Sequence, residues 1–466
     1  MAAEPQTLDG IALDGWIEHE GELLPVTLRY ASRLSLYVSF AKNPPPPDRT
    51  IFPRLKVAAA RQTVELSSCR LHVEYTRQGF AGRLLFLEDV FDCHALLADG
   101  KLVNLKGFFQ NLPLVLAQKD GIRPELKDFV SRSLYDLAVY KKFFDEQDRI
   151  LANEPACVAE PAQAALLTTE GRNLFQFFDA QLEQLGELVK GFDKAEHERH
   201  GFYLRRKAWH FILGSEFLKR TNLKPRGYAG DAEMMRMIYE NRFEGRYIFN
   251  KLLHKHPLET QAAQAVRNRR RLIPRVLRSV ASRFPSGVMR IFSVASGPAW
   301  ELQDIYLDPA DFERFHCALL DQDPEALACA RAGVEKIEAA RDVPIRIQYF
   351  NDSVRTMLKT TRLDERFGRF HFIYSMGLFD YLTPPVARAI LTKLFELLVP
   401  GGSLVIGNYH TNNRTRTYME YWMDWVLYYR TDAELLELTS GLPAQRASVS
   451  FDESGAQMFL QVDKVG

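Results

Sequence analysis

The stretch SVASGPAWE, residues 293–301, decides how the C-terminal part of the chain is interpreted. It follows the apolar run MRIF and leads into residues with helical spacing, so it predicts a strand, a tight turn and the start of a helix. Gly297 would let the backbone turn sharply and approach a ligand, and the first N–H groups of the helix would be free to bind it. A single glycine before a helix is also typical of an ordinary turn, so the interpretation depends on the strands that follow.

Strands and helices alternate after Pro274. The apolar runs MRIFSVA, HCALLD, IRIQYF, FHFIYS and GSLVIGNY predict five strands separated by helices, and RASVSF and QMFLQVDKV flank the turn ESGA. Strand–helix units in series favour an open, mostly parallel sheet, and the last two runs add an antiparallel hairpin. We therefore predict an α/β fold with a seven-stranded, mostly parallel sheet.

Two regions with different residue patterns precede the α/β part of the chain. Between residue 11 and about residue 112, short runs rich in β-branched residues are separated by turn signals, which favours a small all-β barrel or sandwich. From about residue 124 to 253, apolar residues recur at intervals of three and four, which predicts helices. Since 466 residues exceed what one hydrophobic core supports, two or three domains are expected. The sequence patterns divide the chain into a barrel over 1–122, a helical linker or cap over 123–264, and the α/β domain over 265–466.

Composition excludes several classes of protein. A formal charge of +1 gives no overall attraction to nucleic acid or to anionic membranes. No apolar run is long enough to span a bilayer, and the start MAAEPQTLDG lacks the features of a signal peptide, so a cytoplasmic location is expected. The cysteines number five and show no CxxC spacing, which favours reduced thiols. His197 and His200 could share a helix face, but no third ligand is evident, and no metal site is predicted.

Acidic residues follow the predicted strands at their carboxyl ends, where open α/β sheets bind ligands. Asp321 ends the second strand, one strand after Gly297, which is the place from which a carboxylate accepts hydrogen bonds from both hydroxyls of a ribose. Asp323 directly precedes Pro324 and suits the N-cap of the next helix, which leaves Asp321 free. Asp352 follows the third strand, where an acid could receive the amino group of an adenine.

The ordered set SVASGPAWE, LLDQDPEAL, YFNDS, FIYSMGLFDYL and LVPGGSLVIGNYH closely resembles the class I S-adenosylmethionine-dependent methyltransferases. The resemblance covers roughly residues 265–466, and LVPGGSLVIGN is its strongest single element. It implies a Rossmann-like methyltransferase domain with S-adenosylmethionine as cofactor. An NAD-type Rossmann domain is the alternative, but the GxGxxG pattern is absent and the terminal hairpin fits methyltransferases better.

The resemblance also implies a set of cofactor-binding residues. The methionine part would be surrounded by Ser296, Gly297 and Glu301, the ribose held by Asp321, the adenine flanked by Asp352 and Ser353, and the path to the methyl group lined by Ser375 and Met376. The first motif departs from the family pattern, because many relatives carry an acidic residue and more glycines there.

The acceptor of the methyl group is expected to be a small molecule. A carboxylate acceptor is already ionised at neutral pH and needs no base. A hydroxyl or amine acceptor would need one, and His410 at the end of the fifth strand, with Tyr409 beside it, is the predicted catalytic pair, although a surface or substrate-orienting histidine is the alternative. Predicted substrate-binding residues are Tyr228, Arg267, Tyr381 and Trp422.

Three upstream or aromatic segments bear on the substrate. KPRGYAGDAEMMRMIY, which contains Tyr228, is either a lid over the cofactor or a glycine-hinged connection between helices. The arginine run after Ala265, which contains Arg267, could bind a carboxylate or form a solvated helix face. The predicted helix YMEYWMDWVLYYR, which contains Trp422, could enclose an acyl chain or belong to the core.

PRGYAGD, the arginine run and VASGPAWE together look like a bacterial subgroup that makes 3-hydroxy fatty acid methyl esters, such as the quorum-sensing signal 3-hydroxypalmitic acid methyl ester. That resemblance implies a fatty-acyl carboxylate as acceptor, neutralised by an arginine such as Arg267. Other small acids or amines stay open as alternatives.

The N-terminal β region is similar to a degenerate PilZ-like barrel. RYASR, with Arg29 and Arg33, has the RxxxR spacing that grips cyclic di-GMP, and VELSSCRLHVE takes the place of a [D/N]xSxxG strand. Glu65 and Arg70 replace two residues of that pattern, so we favour a structural or dimerising barrel, with a homodimer as one outcome. The alternative is a cyclic di-GMP-responsive binding protein.

Overall fold

The computed structural model describes residues 6–7, 14–32, 35–40, 46–59, 62–76, 79–87, 121–360 and 362–466. The chain forms two compact units, Met1–Gly121 and Ile122–Gly466. Over the described ranges, no helix combines the length and apolar character needed to cross a bilayer.

The first unit is an antiparallel β-barrel. Its strands are β1 (Gln6–Thr7), β2 (Asp14–His19), β3 (Glu22–Ser32), β4 (Ser35–Phe40), β5 (Ile51–Ala59), β6 (Gln62–Thr76) and β7 (Gly79–Phe86). They pair in the order β1-β3-β2-β5-β6-β7-β4, and a further pairing between β3 and β4 closes the sheet. Alternate residues such as Leu55, Val57 and Leu84 fill the interior. Of the two all-β folds that the sequence predicts, a barrel and a sandwich, the structure has the barrel.

The second unit contains one sheet and the helices that cover it. The strands are β8 (Met289–Val294), β9 (Phe315–Asp321), β10 (Ile347–Asn351), β11 (Phe370–Ser375), β12 (Leu398–Tyr409), β13 (Ala444–Phe451) and β14 (Gln457–Lys464). The helices are α1 (Pro124–Leu151), α2 (Ala156–Thr168), α3 (Glu170–Val189), α4 (Lys194–Lys207), α5 (Trp209–Ile212), α6 (Glu216–Leu223), α7 (Ala232–Glu240), α8 (Ile248–Leu258), α9 (Gln261–Ala281), α10 (Leu302–Ile305), α11 (Pro309–Arg314), α12 (Pro324–Arg341), α13 (Val354–Lys359), α14 (Leu363–Phe367), α15 (Pro384–Glu396), α16 (Arg416–Tyr421) and α17 (Asp432–Glu437), with a 3₁₀ turn at Phe379–Tyr381.

The sheet has the order β10-β9-β8-β11-β12-β14-β13. The first five strands in this order run parallel, whereas β14 pairs antiparallel with both β12 and β13. The seven-stranded, mostly parallel, Rossmann-like sheet with a terminal hairpin that the sequence predicts is therefore confirmed. Chain connections leave β8 and β11 toward opposite edges, so these neighbours form the switch point at which such sheets open a crevice.

Burial on both faces explains why these segments form the centre of a parallel sheet. Phe292 and Ile373 point into one core layer, while their neighbours Ile291 and Phe372 point into the other. Successive side chains in a strand face opposite sides, so a strand covered by helices on both faces must be apolar almost throughout. Phe292 also stacks on Phe370 with ring centroids 4.6 Å apart.

The helices of residues 123–264 lie in the same compact unit as the seven-stranded sheet. Their buried residues, including Phe178 and Leu252, share one core with Tyr418 and Trp422 from the C-terminal part of the chain. The centroids of the Phe178 and Trp422 rings lie 5.5 Å apart. Since helices and sheet bury a common apolar surface, they belong to one compact unit.

Candidate functional site

A cavity of about 290 Å³ lies at the carboxyl ends of the central strands. Its walls come from the loops after β8, β9, β10 and β11, from the end of β12, and from α7, α9 and the segment before α7. The lining residues include Tyr228, Gly230, Met235, Tyr239, Arg269, Ser296, Gly297, Trp300, Glu301, Asp321, Asp352, Met376, Gly377, Asp380, Tyr381, Tyr409, Trp425 and Leu427. A volume near the lower end of the range for ligand pockets, with several polar groups converging on it, fits a small-molecule site.

The loop after β8 is held in a left-handed conformation at three alternate residues. Ala295, Gly297 and Ala299 have φ angles of 53°, 56° and 48°. Residues other than glycine rarely adopt such angles, and they cluster at functional sites because the surrounding structure has to enforce them. The Ser296 N–H helps to hold the loop in this conformation by donating to the Leu320 carbonyl oxygen at 3.1 Å. A Cβ on Gly297 would meet no atom within 4 Å, so this backbone faces open space in the cavity.

Asp321 joins this loop to the end of β9. Its Oδ2 accepts a hydrogen bond from the Gly297 N–H at 2.7 Å, and its Oδ1 accepts one from the Asp323 N–H at 2.9 Å. Burial raises the pKa of Asp321, and the two backbone donors oppose that rise. A carboxylate has about four lone-pair positions, so each oxygen can accept a further donor from the cavity. The glycine bend and the acid of the next strand therefore face the same crevice.

Two further acids follow the neighbouring strands. The Asp323 side chain caps α12 by accepting from the Glu325 N–H at 3.0 Å, as its position before Pro324 predicts. Asp352 lines the cavity after β10 and forms an ion pair with Arg366. Ser353 instead caps α13, accepting from the Arg355 N–H at 3.3 Å, and does not line the cavity.

A buried carboxyl and a ring pair form the wall beyond the first loop. Glu301 is 9% exposed, and its Oε1 accepts a hydrogen bond from the Tyr374 hydroxyl at 2.7 Å. Burial raises the pKa of Glu301. The rings of Tyr239 and Trp300 stack with centroids 5.2 Å apart. This wall therefore offers an acid and a flat aromatic surface side by side.

The opposite wall carries one cation and one acid. Arg269 on α9 donates to the Met376 carbonyl oxygen at 3.0 Å. It also lies over Gly377, since a Cβ added at that glycine would be 3.5 Å from Arg269 Nη1. Asp380 is 2% exposed, and its Oδ1 accepts from the Tyr409 N–H at 2.7 Å. Burial raises the pKa of Asp380 to about 7, although the Tyr409 N–H, Arg269 and Arg430 oppose that rise. Asp380 therefore changes its charge near neutral pH.

Residues 224–231, here called the strap, cross this region before α7. Arg226 donates to Asp323 Oδ2 at 2.7 Å and also forms an ion pair with Glu325. The Tyr228 hydroxyl lies 3.3 Å from the same Asp323 oxygen, and Tyr228 lines the cavity. The strap therefore contributes to the wall of the cavity and is joined to Asp323 beside it.

Most of the predicted site residues line the cavity. These are Ser296, Gly297, Glu301, Asp321, Asp352, Met376, Tyr228, Tyr381 and Tyr409. The Tyr409 hydroxyl donates to the Ala262 carbonyl oxygen at 2.8 Å, and burial raises its pKa, so the phenol stays protonated. Its backbone N–H, rather than its hydroxyl, contacts the cavity acid Asp380.

Two predicted residues are turned away from the cavity by strand geometry. Ser375 lies between Tyr374 and Met376, both of which line the cavity, and its hydroxyl donates to the Val294 carbonyl oxygen at 2.8 Å. His410 follows Tyr409 and faces the other way, with its ring 5.2 Å from the ring of Phe451. Its Nδ1 accepts from the Asn412 N–H at 3.1 Å. Because side chains alternate along a strand, Ser375 and His410 point to the faces opposite those of the lining residues Tyr374 and Tyr409.

Two other predicted residues have structural contacts elsewhere. Arg267 donates to the carbonyl oxygens of Ile238 and Leu258, at 3.2 and 2.8 Å, and thereby joins α7, α8 and α9. Trp422 packs in the helical core. The predicted aromatic helix ends at Tyr421, and the turn beyond it places Trp425 in the cavity instead.

Sequence reasoning missed several lining residues. Arg269 stands two positions beyond Arg267 in the same run, and the helical phase that selects it was not evident from the sequence. Asp380 lies in the quoted segment FIYSMGLFDYL, where an acid just after a strand end was an available signal. Tyr239, Trp300 and Trp425 lie in the segments KPRGYAGDAEMMRMIY, SVASGPAWE and YMEYWMDWVLYYR, but nothing in those patterns distinguished these three aromatic residues from their neighbours.

The two histidines considered for a metal site, His197 and His200, make hydrogen-bonding contacts within the protein. His200 Nε2 accepts from the Arg123 N–H at 3.0 Å, and His197 Nδ1 lies 3.0 Å from the Tyr421 hydroxyl. Throughout the described part of the chain, no group of three or more His, Cys, Asp or Glu residues is arranged to hold a metal ion. Cys157, Cys317 and Cys329 take part in no disulfide, and Cys93 lies outside the described residues.

Comparisons with known proteins give matches to solved structures alone. No family model matches the chain, and no curated protein matches it. The chain is similar to a structure described as a possible exported protein from Bordetella parapertussis, with 18% identity and a TM-score of 0.43, covering 64% of this chain and 97% of that one. It is also similar to magnesium protoporphyrin IX methyltransferase from Synechocystis PCC 6803 with bound S-adenosylmethionine, with 10% identity and a TM-score of 0.31, covering 43% and 83%. A third match is the N-methyltransferase NodS from Bradyrhizobium japonicum WM9, with 13% identity and a TM-score of 0.30, covering 42% and 97%. The fold and the site described above follow from this chain's own topology and contacts.

Proposed function

We propose that the protein is an S-adenosylmethionine-dependent methyltransferase acting on a small molecule. The observation that carries the proposal is the hydrogen bond between the Gly297 N–H and Asp321, which brings a left-handed bend and a buried acid to the switch point of the sheet. Such a pair suits an adenosine, because the carboxylate accepts from ribose hydroxyls while the glycine lets the ligand approach the backbone.

The chemistry of the lining residues fits the cofactor. Asp321 retains lone pairs for the ribose, and Asp352 with the neighbouring Val354 offers an acid and an apolar surface for the adenine. The backbone at Ser296 and Gly297, together with Glu301, would hold the methionine part. Glu301 is a suitable partner for an amino group, because an adjacent ammonium would favour ionisation of a carboxyl whose pKa burial raises.

When bound, S-adenosylmethionine supplies an activated methyl group, so the chain's own residues have to align the acceptor and exclude water. Met376 and Gly377 form the floor at the end of β11, and Arg269 lies directly over Gly377. Tyr381 and Trp425 are joined by a hydrogen bond of 2.8 Å from the indole N–H to the phenol oxygen. This pair gives the acceptor end of the cavity a rigid, mostly apolar wall.

The acceptor that we favour is the carboxylate of a small acid, with a 3-hydroxy fatty acid as the specific candidate and a methyl ester as product. Arg269, rather than the predicted Arg267, is placed to neutralise the acid, because it lines the cavity while Arg267 bonds to carbonyl oxygens outside it. Met235, Trp425 and Leu427 line the same region and suit an apolar chain. A carboxylate is ionised at neutral pH, so this reaction needs no base.

A hydroxyl or amine acceptor is the second candidate, and Asp380 favours it. This carboxyl lines the cavity, its Oδ1 is oriented by the Tyr409 N–H, and its pKa of about 7 suits a group that takes a proton at neutral pH. In this reaction the acceptor oxygen or nitrogen bonds to the methyl carbon, the bond from that carbon to sulfur breaks, and Asp380 receives the acceptor's proton.

One experiment tests both the activity and the acceptor class. The protein is incubated with methyl-labelled S-adenosylmethionine and a small-molecule extract, with 3-hydroxypalmitate as a separate added acid, and labelled products are identified by mass spectrometry. An ester is cleaved by mild alkali, whereas a methyl ether or methylamine is not. Arg269→Gln should lose labelling of an acid, while Arg271→Gln, which changes an exposed arginine on the same helix, should retain it. Absence of any labelled product, with the cofactor intact, would contradict the proposal.

For the first unit we propose a structural or dimerising role rather than cyclic di-GMP binding. The closed barrel is compatible with a PilZ-like fold, but Glu65, which replaces Asp or Asn in the expected motif, forms ion pairs with Lys56 at 3.0 Å and Arg54 at 3.5 Å. Arg33, the second arginine of the RxxxR spacing, lies outside the described residues. Calorimetry of the full chain with cyclic di-GMP tests this role: tight binding that Arg29→Ala abolishes would overturn it.

A further inference from the structure

The strap is fixed firmly at both ends. Lys224 at its start pairs with Asp424, with Nζ and Oδ2 2.6 Å apart. Asp231 at its end is fully buried, pairs with Arg220 at 2.7 Å, and caps α7 by accepting from the Met234 N–H at 3.0 Å. Between these anchors, Gly227 has a φ angle of 85°. A glycine between two anchored ends is a position at which the backbone dihedral angles can change, as they do at hinge residues.

The middle of the strap contacts both halves of the cavity. On the side of the proposed cofactor site, Arg226 and Tyr228 hold Asp323, which donates its N–H to the ribose-site acid Asp321. On the acceptor side, Gly230 packs so closely that a Cβ there would lie 2.9 Å from the Tyr381 hydroxyl oxygen and 3.0 Å from a ring carbon of Trp425. The strap therefore covers both regions at once.

We propose that Arg226 is a positioning residue that keeps the strap closed over the cavity through its ion pairs with Asp323 and Glu325. S-adenosylhomocysteine, the product formed from the cofactor, then leaves only when these ion pairs open. This inference rests on the proposed function. The Arg226 and Asp323 side chains are 19% and 9% exposed, so their pair is shielded from solvent far more than an ordinary surface pair. Glu325 is 68% exposed and adds a second carboxylate that water and salt can reach. These two ion pairs, here called the latch, combine one shielded and one exposed contact, so they hold the strap in place and can still open.

Stopped-flow fluorescence measures the opening directly. Trp300 and Trp425 line the cavity, so intrinsic tryptophan fluorescence should report the release of S-adenosylhomocysteine from the full chain. We expect Arg226→Gln to accelerate dissociation by roughly tenfold or more, because it removes charge-assisted hydrogen bonds that hold the closed form. Arg226→Lys should be intermediate, since a lysine keeps the charge but loses the forked geometry that spans two carboxylates.

Two further variants and a salt series keep the test specific. Glu325→Gln should accelerate dissociation more weakly, and it changes an exposed side chain, so its folding is not at risk. Arg149→Gln, which removes an exposed ion pair with Glu146 on α1, should change nothing. Raising the salt from about 0.05 M to about 0.5 M should accelerate release from the unaltered protein and have less effect on Arg226→Gln, because salt screens the exposed part of the latch.

The outcomes separate the two proposals. Binding of S-adenosylhomocysteine with the same dissociation rate in the unaltered protein, Arg226→Gln and Glu325→Gln would overturn the role of Arg226 and leave the proposed function standing. No binding of S-adenosylhomocysteine to the unaltered protein would overturn the proposed function and this inference with it. Faster release in Arg226→Gln and Glu325→Gln, partial recovery in Arg226→Lys and no change in Arg149→Gln would support both.

Discussion

Replacing Asp321 by Asn should weaken binding of S-adenosylhomocysteine while leaving the shape of the site almost unchanged. The carboxylate is 6% exposed and uses one oxygen for the Gly297 N–H and the other for the Asp323 N–H. An amide keeps one acceptor, turns its NH₂ group toward the other backbone donor, and offers the ribose no charge. Losing charge-assisted hydrogen bonds should cost roughly 1–3 kcal/mol, which raises the dissociation constant roughly 5- to 150-fold.

Isothermal titration calorimetry of the purified variant with S-adenosylhomocysteine measures this change. Asp364→Asn is the matched control, because it removes an exposed carboxylate on α14 whose nearest partner is Arg369 at 3.5 Å. The control should bind as the unaltered protein does. An Asp321→Asn protein that is folded and has an unchanged dissociation constant would refute the assignment of Asp321 to the ribose.

Further predictions concern the loop, the cavity acid and the core. Gly297→Ala should lower cofactor affinity at least about fivefold in the same titration, because alanine is strained by roughly 1–2 kcal/mol at a φ of 56° and adds a methyl group to the cavity; an unchanged affinity would contradict the close approach of ligand to backbone. If the acceptor is a hydroxyl or amine, kcat should rise with pH through about 7 as Asp380 ionises, and Asp380→Asn should abolish the rise together with most of the activity, whereas a carboxylate acceptor should leave no such dependence in the pH profile. Relative to the unaltered protein, Asp380→Asn should become more stable as the pH rises from about 4 to about 7, because over this range Asp380 is ionised in the unfolded chain but protonated in the fold. A chemical denaturation series over pH that shows no such difference would contradict the raised pKa. Phe292→Ala should lower the free energy of unfolding by about 3–5 kcal/mol, since this fully buried ring stacks on Phe370, and a loss below about 1 kcal/mol would contradict that packing.

The sheet could be predicted from sequence because its physical cause is visible there. Central parallel strands are buried on both faces, so MRIFSVA, FHFIYS and GSLVIGNY are predominantly apolar, and the helices between them leave few alternative topologies. The acid at the end of β9 was predictable for the same reason: strand ends are fixed once the strands are known, and parallel strands bring their carboxyl ends to one edge.

The acceptor side of the cavity was much less predictable, because it depends on tertiary packing. Arg267 and Arg269 are equivalent in an arginine run, and what distinguishes them is the rotation of α9, which points Arg269 toward Met376 and Arg267 toward the carbonyl oxygens of Ile238 and Leu258. The end of the aromatic helix at Tyr421 likewise moves the cavity tryptophan from position 422 to position 425.

The positions of two predicted residues outside the cavity wall have a simpler explanation. His410 and Ser375 carry the polar groups that a reader of sequences selects, yet Tyr409, Tyr374 and Met376 are the residues that face the cavity. The alternation of side chains along β11 and β12 could have excluded both, once one lining residue on each strand was fixed. Chemical character alone is therefore a weaker guide to a site on a strand than register.

The most direct test of the proposed methyltransferase site is the crystal structure of the protein with S-adenosylhomocysteine. We predict that the ribose hydroxyls will lie within hydrogen-bonding distance of the Asp321 carboxylate and that the ligand backbone will follow the loop from Ala295 to Ala299. A ligand bound elsewhere, or an Asp321 carboxylate that makes no contact with the ribose, would contradict the account.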